Sequence, residues 1–339
     1  MASHNPTDLE FDSVDPPSEQ ARTRARQRYD TLLEPPRSLG RLEELGAWLA
    51  ACQGRCPPHA PTQTCAVVFP AAHGIAARGV SRHPATATTE LTGRFNSGGT
   101  ALHALTGVTG ANITTAELDN YDSGAIDVED ALTTAQTDNT VRAGAALADA
   151  EVDSGADLLL PATVGVGSST PASVIVAAMI DTEPVAVVGR GSGIDDRTWM
   201  RKAAVVRDAL RRSRTAQQHP LALLRIVGGA DLAAATGFLA QAAVRRTPVL
   251  LDGLTSVAAA LLAERLATGA RAWWLAPHSS PEPAHSLALR ELELTPLLDL
   301  GITLQQGAAA STALPLLHMA ARTLHDMPPR EQADLTQPW

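Results

Sequence analysis

The chain has 339 residues, 45% of them hydrophobic and 19% charged, with a formal net charge of −9 and only 3% aromatic side chains. That length buries a substantial core in one large domain or two smaller ones. The negative balance argues against a nucleic-acid partner, whose binding rests on phosphate neutralisation, and the scarcity of aromatic rings argues against a platform for stacking single strands.

Residues 1–24, rich in Pro, Ser, Asp and Glu, are expected to form a disordered arm. They lack the apolar core of a secretion signal, and no run of about 18 apolar residues follows, so a cytoplasmic protein without a membrane partner is expected. Cys52, Cys56 and Cys65 are an odd set that suits a reducing compartment. With His73 they lack the paired spacing of a zinc site, and no metal is expected. Pro35-Pro36 blocks helix, Ser38 is the expected N-cap, and Leu39, Leu42, Leu45 and Leu49 then recur on one helical face that should pack on the body.

From Cys65 the rhythm changes to short apolar runs separated by Ala-rich helical stretches. The runs are CAVVFP (65–70), ANITTAE (111–117), ADLLLP (156–161), PVAVVG (184–189), LLRIVGG (223–229), TPVLLDG (247–253), RAWWLAP (271–277) and GITLQQG (301–307). Continuous apolar runs without alternation read as strands covered on both faces, which predicts an α/β protein with a mostly parallel sheet.

Ligands of such sheets sit beyond the carboxyl ends of the strands, so the strand-to-helix turns are the site candidates. After ADLLLP, Gly165 and Gly167 permit close backbone approach, and Ser168, Ser169 and Thr170 supply hydroxyls ahead of Pro171. After PVAVVG, Gly189, Gly191 and Gly193 alternate with Arg190 and Ser192, and Lys202 follows in the next helix. Turns of this kind offer free N–H groups and the positive end of a helix to an anion, although neither spells a GxGxxG or P-loop motif. Two of them on one sheet edge favour a ligand that carries phosphate.

Taken together, the motifs resemble the nicotinate-nucleotide:dimethylbenzimidazole phosphoribosyltransferases, the CobT family of cobalamin lower-ligand assembly. The resemblance runs over roughly residues 33–320. Its carriers are PPRSLGRLEELGAWLA, HGIAARGVSRHP, GSSTPAS, VVGRGSGIDD, GGADLAAATGFLAQAA, PVLLDGLTS, HSSPEPAH and PLLDLGITL, in that order. The spelling is nearest to an actinobacterial-type branch. The resemblance implies a Rossmann-like parallel sheet domain flanked by helices, with a small helical domain built from the two chain ends. Residues 25–64 and 306–339 are expected to form the small domain, and 65–305 the Rossmann-like one. The resemblance also implies a homodimer and a transfer of the phosphoribosyl group of nicotinate mononucleotide to a benzimidazole nitrogen, with no cofactor. By matching positions, phosphate would lie against Gly191, Ser192 and Gly193 with Lys202 nearby. Nicotinate and ribose would face Gly165 to Thr170 and Ser279 or Ser280. His73, Ser81 and Pro84 would lie toward the base, with Leu304 and Gly307 flanking it.

Three departures from the family pattern fall at carboxylates, and in the last loop Ala308-Ala309 also replace a Thr-Gly. The family's general-base glutamate falls on Gln306, the aspartate of its Gly-Asp-His-Gly turn on Ala72, and the acid that opens its glycine-rich loop on Thr163. A carboxamide does not take up the proton an attacking azole releases, and losing a general base costs about 10²- to 10⁴-fold. Glu282 is the favoured replacement base, Asp252 at a strand end is a second candidate, and Asp195 and Asp196 read as first-turn residues that suit the helix dipole. His278 and His285 are placed to titrate near neutrality. Two other readings stay open: an inactive paralogue serving as heteromeric partner or regulator of an active relative, and a nucleotide-remodelling enzyme of a specialised pathway.

Overall fold

In the computed structural model, residues 9–118 and 123–332 are described. Helices α1 (Glu19–Thr31) and α2 (Arg41–Gln53) precede strand β1 (Thr64–Pro70). Next come α3 (Ala87–Ser97), α4 (Ala101–Thr109), β2 (Asn112–Thr115), α5 (Thr134–Asp153) and β3 (Leu158–Val164). They are followed by α6 (Ser169–Met179), the single turn α7 (Pro184–Val187), α8 (Asp196–Ser213), α9 (Pro220–Val227) and α10 (Ala230–Val244). Strand β4 (Val249–Leu250), α11 (Gly253–Leu266), β5 (Trp274–Leu275), α12 (Pro283–Glu291) and α13 (Ala308–Asp326) complete the order.

The strands form one parallel sheet of order β2-β1-β3-β4-β5. Successive residues of β1 enter opposite cores. Val67 and Phe69 face the layer that contains α10, and Ala66 and Val68 face α2 and α13. Both faces are dry, which is why the strands read as unbroken apolar runs. Helix α10 lies against α5 so closely that a Cβ on Gly237 would sit 1.9 Å from the Val141 carbonyl oxygen, and one on Gly144 1.9 Å from that of Ala234. Only glycine permits that backbone approach.

A third cluster of Ala25, Tyr29, Leu32, Ala47, Ala50 and Leu324 joins α1, α2 and α13, so the two chain ends meet in a small helical layer. The Tyr29 hydroxyl fixes it, lying 3.2 Å from the Ala320 carbonyl oxygen and 3.1 Å from the Thr323 hydroxyl. Leu45 and Leu49 of α2 are buried and Leu42 packs beside them, as their helical spacing requires.

Several expectations change. The described part of the 1–24 arm is ordered: the Trp273 indole donates to the Asp15 carbonyl (2.9 Å), the Ser18 amide donates to Ala51 (2.9 Å), and Leu9, Phe11 and Val14 pack on the core. Its three apolar side chains outweigh the polar composition around them. Ser38 is not the N-cap of α2; the helix starts at Arg41 behind Gly40, whose φ is 54°. Segments 184–189 and 223–229 are not strands but contain α7 and most of α9, each opened by a proline at its first position. Residues 301–304 pair with no strand: the sheet ends at β5, and Leu304 is 39% exposed. Among the described residues, no helix is long and apolar enough to cross a membrane.

Candidate active site

The chain leaves β1 toward β2 on one side and later returns to place β3 on the other, so the turns after β1 and β3 part at a topological switch point. A cavity of about 510 Å³ opens there. Its floor is the end of β3 and the turn beyond it, with Thr163, Gly165, Gly167, Ser168 and Ser169 on the wall. Gly165 must be glycine, since a Cβ there would lie 2.3 Å from the Ala71 carbonyl oxygen.

Opposite stands the loop that leads into α8, which contributes Gly191 and Ser192. Lys202, on α8, is 1% exposed and reaches between the two turns. Its ammonium donates to the Ser169 hydroxyl (3.0 Å) and the Gly189 carbonyl (3.3 Å). Burial pulls its pKa below the usual lysine value, and the Glu282 carboxylate opposes that pull. Ser81, from the segment after β1, closes the same side, its hydroxyl 3.2 Å from that of Ser192, to which the Arg82 amide also donates (2.9 Å).

Leu304 and Gln306 line this cavity with Thr303 and Gln305. The Gln305 side chain is occupied, its oxygen accepting from the Thr255 amide and hydroxyl, whereas the side-chain amide of Gln306 has no bonded partner among the described residues. The turn is held from below by Asp252, which is fully buried. Its carboxylate accepts from the Gly307 amide (2.7 Å) and the Ala310 amide (2.9 Å) at the start of α13. Burial pushes the Asp252 carboxyl up to about 6, opposed by the N–H groups of Ala310, Gly307 and Ala309.

That arrangement revises several site assignments. Asp252 does not reach the cavity, because both oxygens are spent on the α13 backbone; with Gly307 it positions the Gln306 turn. Glu282 lies behind the glycine loop rather than beside Gln306. One of its oxygens accepts from the Gly191 amide (2.7 Å), and it borders an adjoining cavity with Gly189, Arg190 and Gly193. His73 is buried with its ring nitrogen 3.1 Å from an Asp231 oxygen, and Thr170 is buried within α6. Pro84 falls between cavity residues without lining the cavity itself. The Ser279 amide bonds Leu298 and the Ser280 hydroxyl accepts from the Glu282 amide, so both serine positions brace the α12 entrance. Burial lowers the pKa of His278, and burial with the neighbouring His278 ring lowers His285 to about 3, so His285 does not titrate near neutrality. Asp195 does cap α8, accepting from the Thr198 amide (2.8 Å).

Sequence reasoning passed over one wall. Ala87, Glu90, Leu91 and Arg94 of α3 also line the cavity. Their spacing is one face of a helix, a signal present in ATTELTGR though masked by its polarity. Thr88, a quarter-turn away, anchors that helix by accepting from the Val166 amide (3.0 Å). His83 lines the cavity near Ser81. Among the described residues, no group of three or more His, Cys, Asp or Glu side chains is arranged to hold a metal.

A parallel sheet with a switch-point cavity, two glycine turns and a buried lysine between them defines an α/β protein built to hold an anionic ligand. A family model described as phosphoribosyltransferase matches residues 14–335. The chain belongs to that family. It is 50% identical to the nicotinate-nucleotide–dimethylbenzimidazole phosphoribosyltransferase of Mycobacterium avium (strain 104), over 97% of this chain and 99% of that one. The corresponding protein of Mycobacterium ulcerans (strain Agy99) is also 50% identical, over 94% of this chain and 93% of that one. The crystal structure of CobT from Thermus thermophilus superposes with a TM-score of 0.88 at 34% identity, covering 94% of this chain and all of that one.

Proposed function

We propose that this phosphoribosyltransferase binds nicotinate mononucleotide and transfers its phosphoribosyl group to a nitrogen of 5,6-dimethylbenzimidazole or a related azole, releasing nicotinate. The observation that carries the reading is Lys202, a buried cation held between two glycine turns in the cavity that also receives Gln306. In this reading the 5′-phosphate lies against the Gly191–Gly193 loop, where the Gly191 and Gly193 amides are already bonded to Glu282 and Arg190, and takes the charge of Lys202. Ser168 and Ser169 face the ribose. The acceptor lies toward Ser81, Leu304 and Gln306, whose amide hydrogen-bonds its ring. The acceptor's lone-pair nitrogen attacks the anomeric carbon as the bond to the nicotinate nitrogen breaks, its electron pair leaving with nicotinate. Holding both reactants in one geometry supplies much of the acceleration.

The test is nicotinate release, followed by chromatography, from purified chain given nicotinate mononucleotide and 5,6-dimethylbenzimidazole. Release by the chain alone is expected and rules out the inactive-partner reading, which rests on the neutral residues Ala72, Thr163 and Gln306. A cytoplasmic homodimer completes the proposal, checked by sedimentation and fractionation.

A further inference from the structure

The proposed transfer leaves a proton without an acceptor. Attack by the lone-pair nitrogen makes an azolium whose second nitrogen still carries hydrogen, and neutral product forms only when that proton leaves. Gln305, Gln306 and Thr163 cannot take it, since amide and hydroxyl oxygens are too weakly basic. Lys202 is committed to Ser169 and Gly189. Asp252 spends both oxygens on backbone amides outside the cavity, and Glu282, with one oxygen on the Gly191 amide, borders the adjoining cavity instead. Glu90 is the one carboxylate among the described residues that line it.

Helix α3 is built to present that carboxylate. The Thr88 hydroxyl ties the helix to the β3 turn through the Val166 amide, which turns the Ala87, Glu90, Leu91 and Arg94 face to the cavity. Glu90 rests on Arg94, one turn on, at 2.7 Å, and both side chains are mostly exposed. Such exposed pairs are worth little, so the carboxylate swings from the guanidinium to an acceptor at small cost.

Resting on the function proposed above, we infer that Glu90 is the general base of this chain: its carboxylate takes the azole N–H proton as the glycosidic bond forms, a role displaced from the Gln306 turn to α3. Arg94 and Lys202 also line the cavity as cations, and the other side chain there with the chemistry of a base is His83. It lies two residues from Ser81, whose hydroxyl accepts from the His83 amide (3.2 Å), so it is the competing base that the experiment must separate from Glu90.

The experiment compares steady-state nicotinate release by the unaltered chain, Glu90→Gln, His83→Gln, and the double variant Glu90→Gln with Gln306→Glu. Glu90→Gln is expected to lower kcat by about 10²-fold or more while KM for nicotinate mononucleotide stays within about twofold. His83→Gln is expected to leave kcat within about threefold, and the double variant to recover at least about tenfold of the loss. A Glu90→Gln protein within about threefold of the unaltered rate overturns the assignment, as does a kcat loss that follows His83 instead. So does a fall in donor binding equal to the fall in rate, which marks a structural role. If the unaltered chain releases no nicotinate, the functional reading fails; if it does and Glu90→Gln matches it, only the base assignment fails.

Discussion

At the residue scale, two buried charges divide the work of the site. Lys202 gains nothing from solvent; its ammonium is held by two oxygen partners with Glu282 nearby, and under the proposed function the donor phosphate would complete its shell. Replacing it by Met should raise the dissociation constant for nicotinate mononucleotide by about 10- to 100-fold, the worth of a charged hydrogen bond, with little change in melting temperature; calorimetric titration measures it. Asp252 behaves oppositely. Its folded-state pKa, about 6, stands above the ordinary value of 3.8, so below pH 4 the group costs nothing and its penalty grows as pH rises toward 6. Between pH 4 and 7 the chain should therefore lose on the order of 2–3 kcal/mol relative to an Asp252→Asn variant, read from denaturant midpoints across pH. Lys202 and the glycine turns were legible in the sequence because turn chemistry is local. Glu90 was not, because an i, i+4 pair with Arg94 reads as a solvated helix face until the fold turns that face into a cavity. The Asp252 role was hidden for another reason: its partners lie 55 and 58 residues away.

At the element scale, α10 is the central pillar. It is buried along nearly its whole length and meets α5 at Gly144 and Gly237, where backbone touches backbone. Gly237→Ala places a methyl group within the Val141 carbonyl and should destabilise the fold by about 3 kcal/mol, visible in chemical unfolding, because packed helices separate only by straining their other contacts. Strands β1 and β3 followed from their apolar runs, which are buried on both faces, whereas β2 is an edge strand that is only partly buried. The runs at 184–189 and 223–229 share that composition and still form helix. Pro184 and Pro220 preset the first helical φ, and in α9 Leu223, Leu224, Ile226 and Val227 fill the core from a helical face. Composition cannot separate these cases; neighbouring strands decide them.

Over the whole molecule, the N-terminal segment and the edge of the sheet stabilise each other. Asp15 receives the Trp273 indole N–H and pairs with Arg246, while Val14 and Phe11 cover apolar surface beside β5. Deleting residues 1–17 should cost on the order of 3 kcal/mol and lower the melting temperature by a few degrees, with the glycine turns unaffected and donor binding retained. The polar arm and the small domain were read from composition and resemblance, and composition alone missed the few apolar anchors that order the described part of the arm.

The bonds from Asp252 to Gly307 and Ala310 have a mechanical consequence for the molecule as a whole. Helix α13 belongs to the small layer at its far end and to the sheet at its near end, where it is riveted through a fully buried carboxylate. The small layer therefore has no hinge at the Gln306 turn and cannot swing over the cavity as a lid without breaking two buried bonds. On the opposite wall the contacts are of another kind: α3 is tied through the Thr88 hydroxyl to the Val166 amide, and the Ser81 segment meets the Ser192 hydroxyl through Ser81 and the Arg82 amide, so any opening for substrate is expected there.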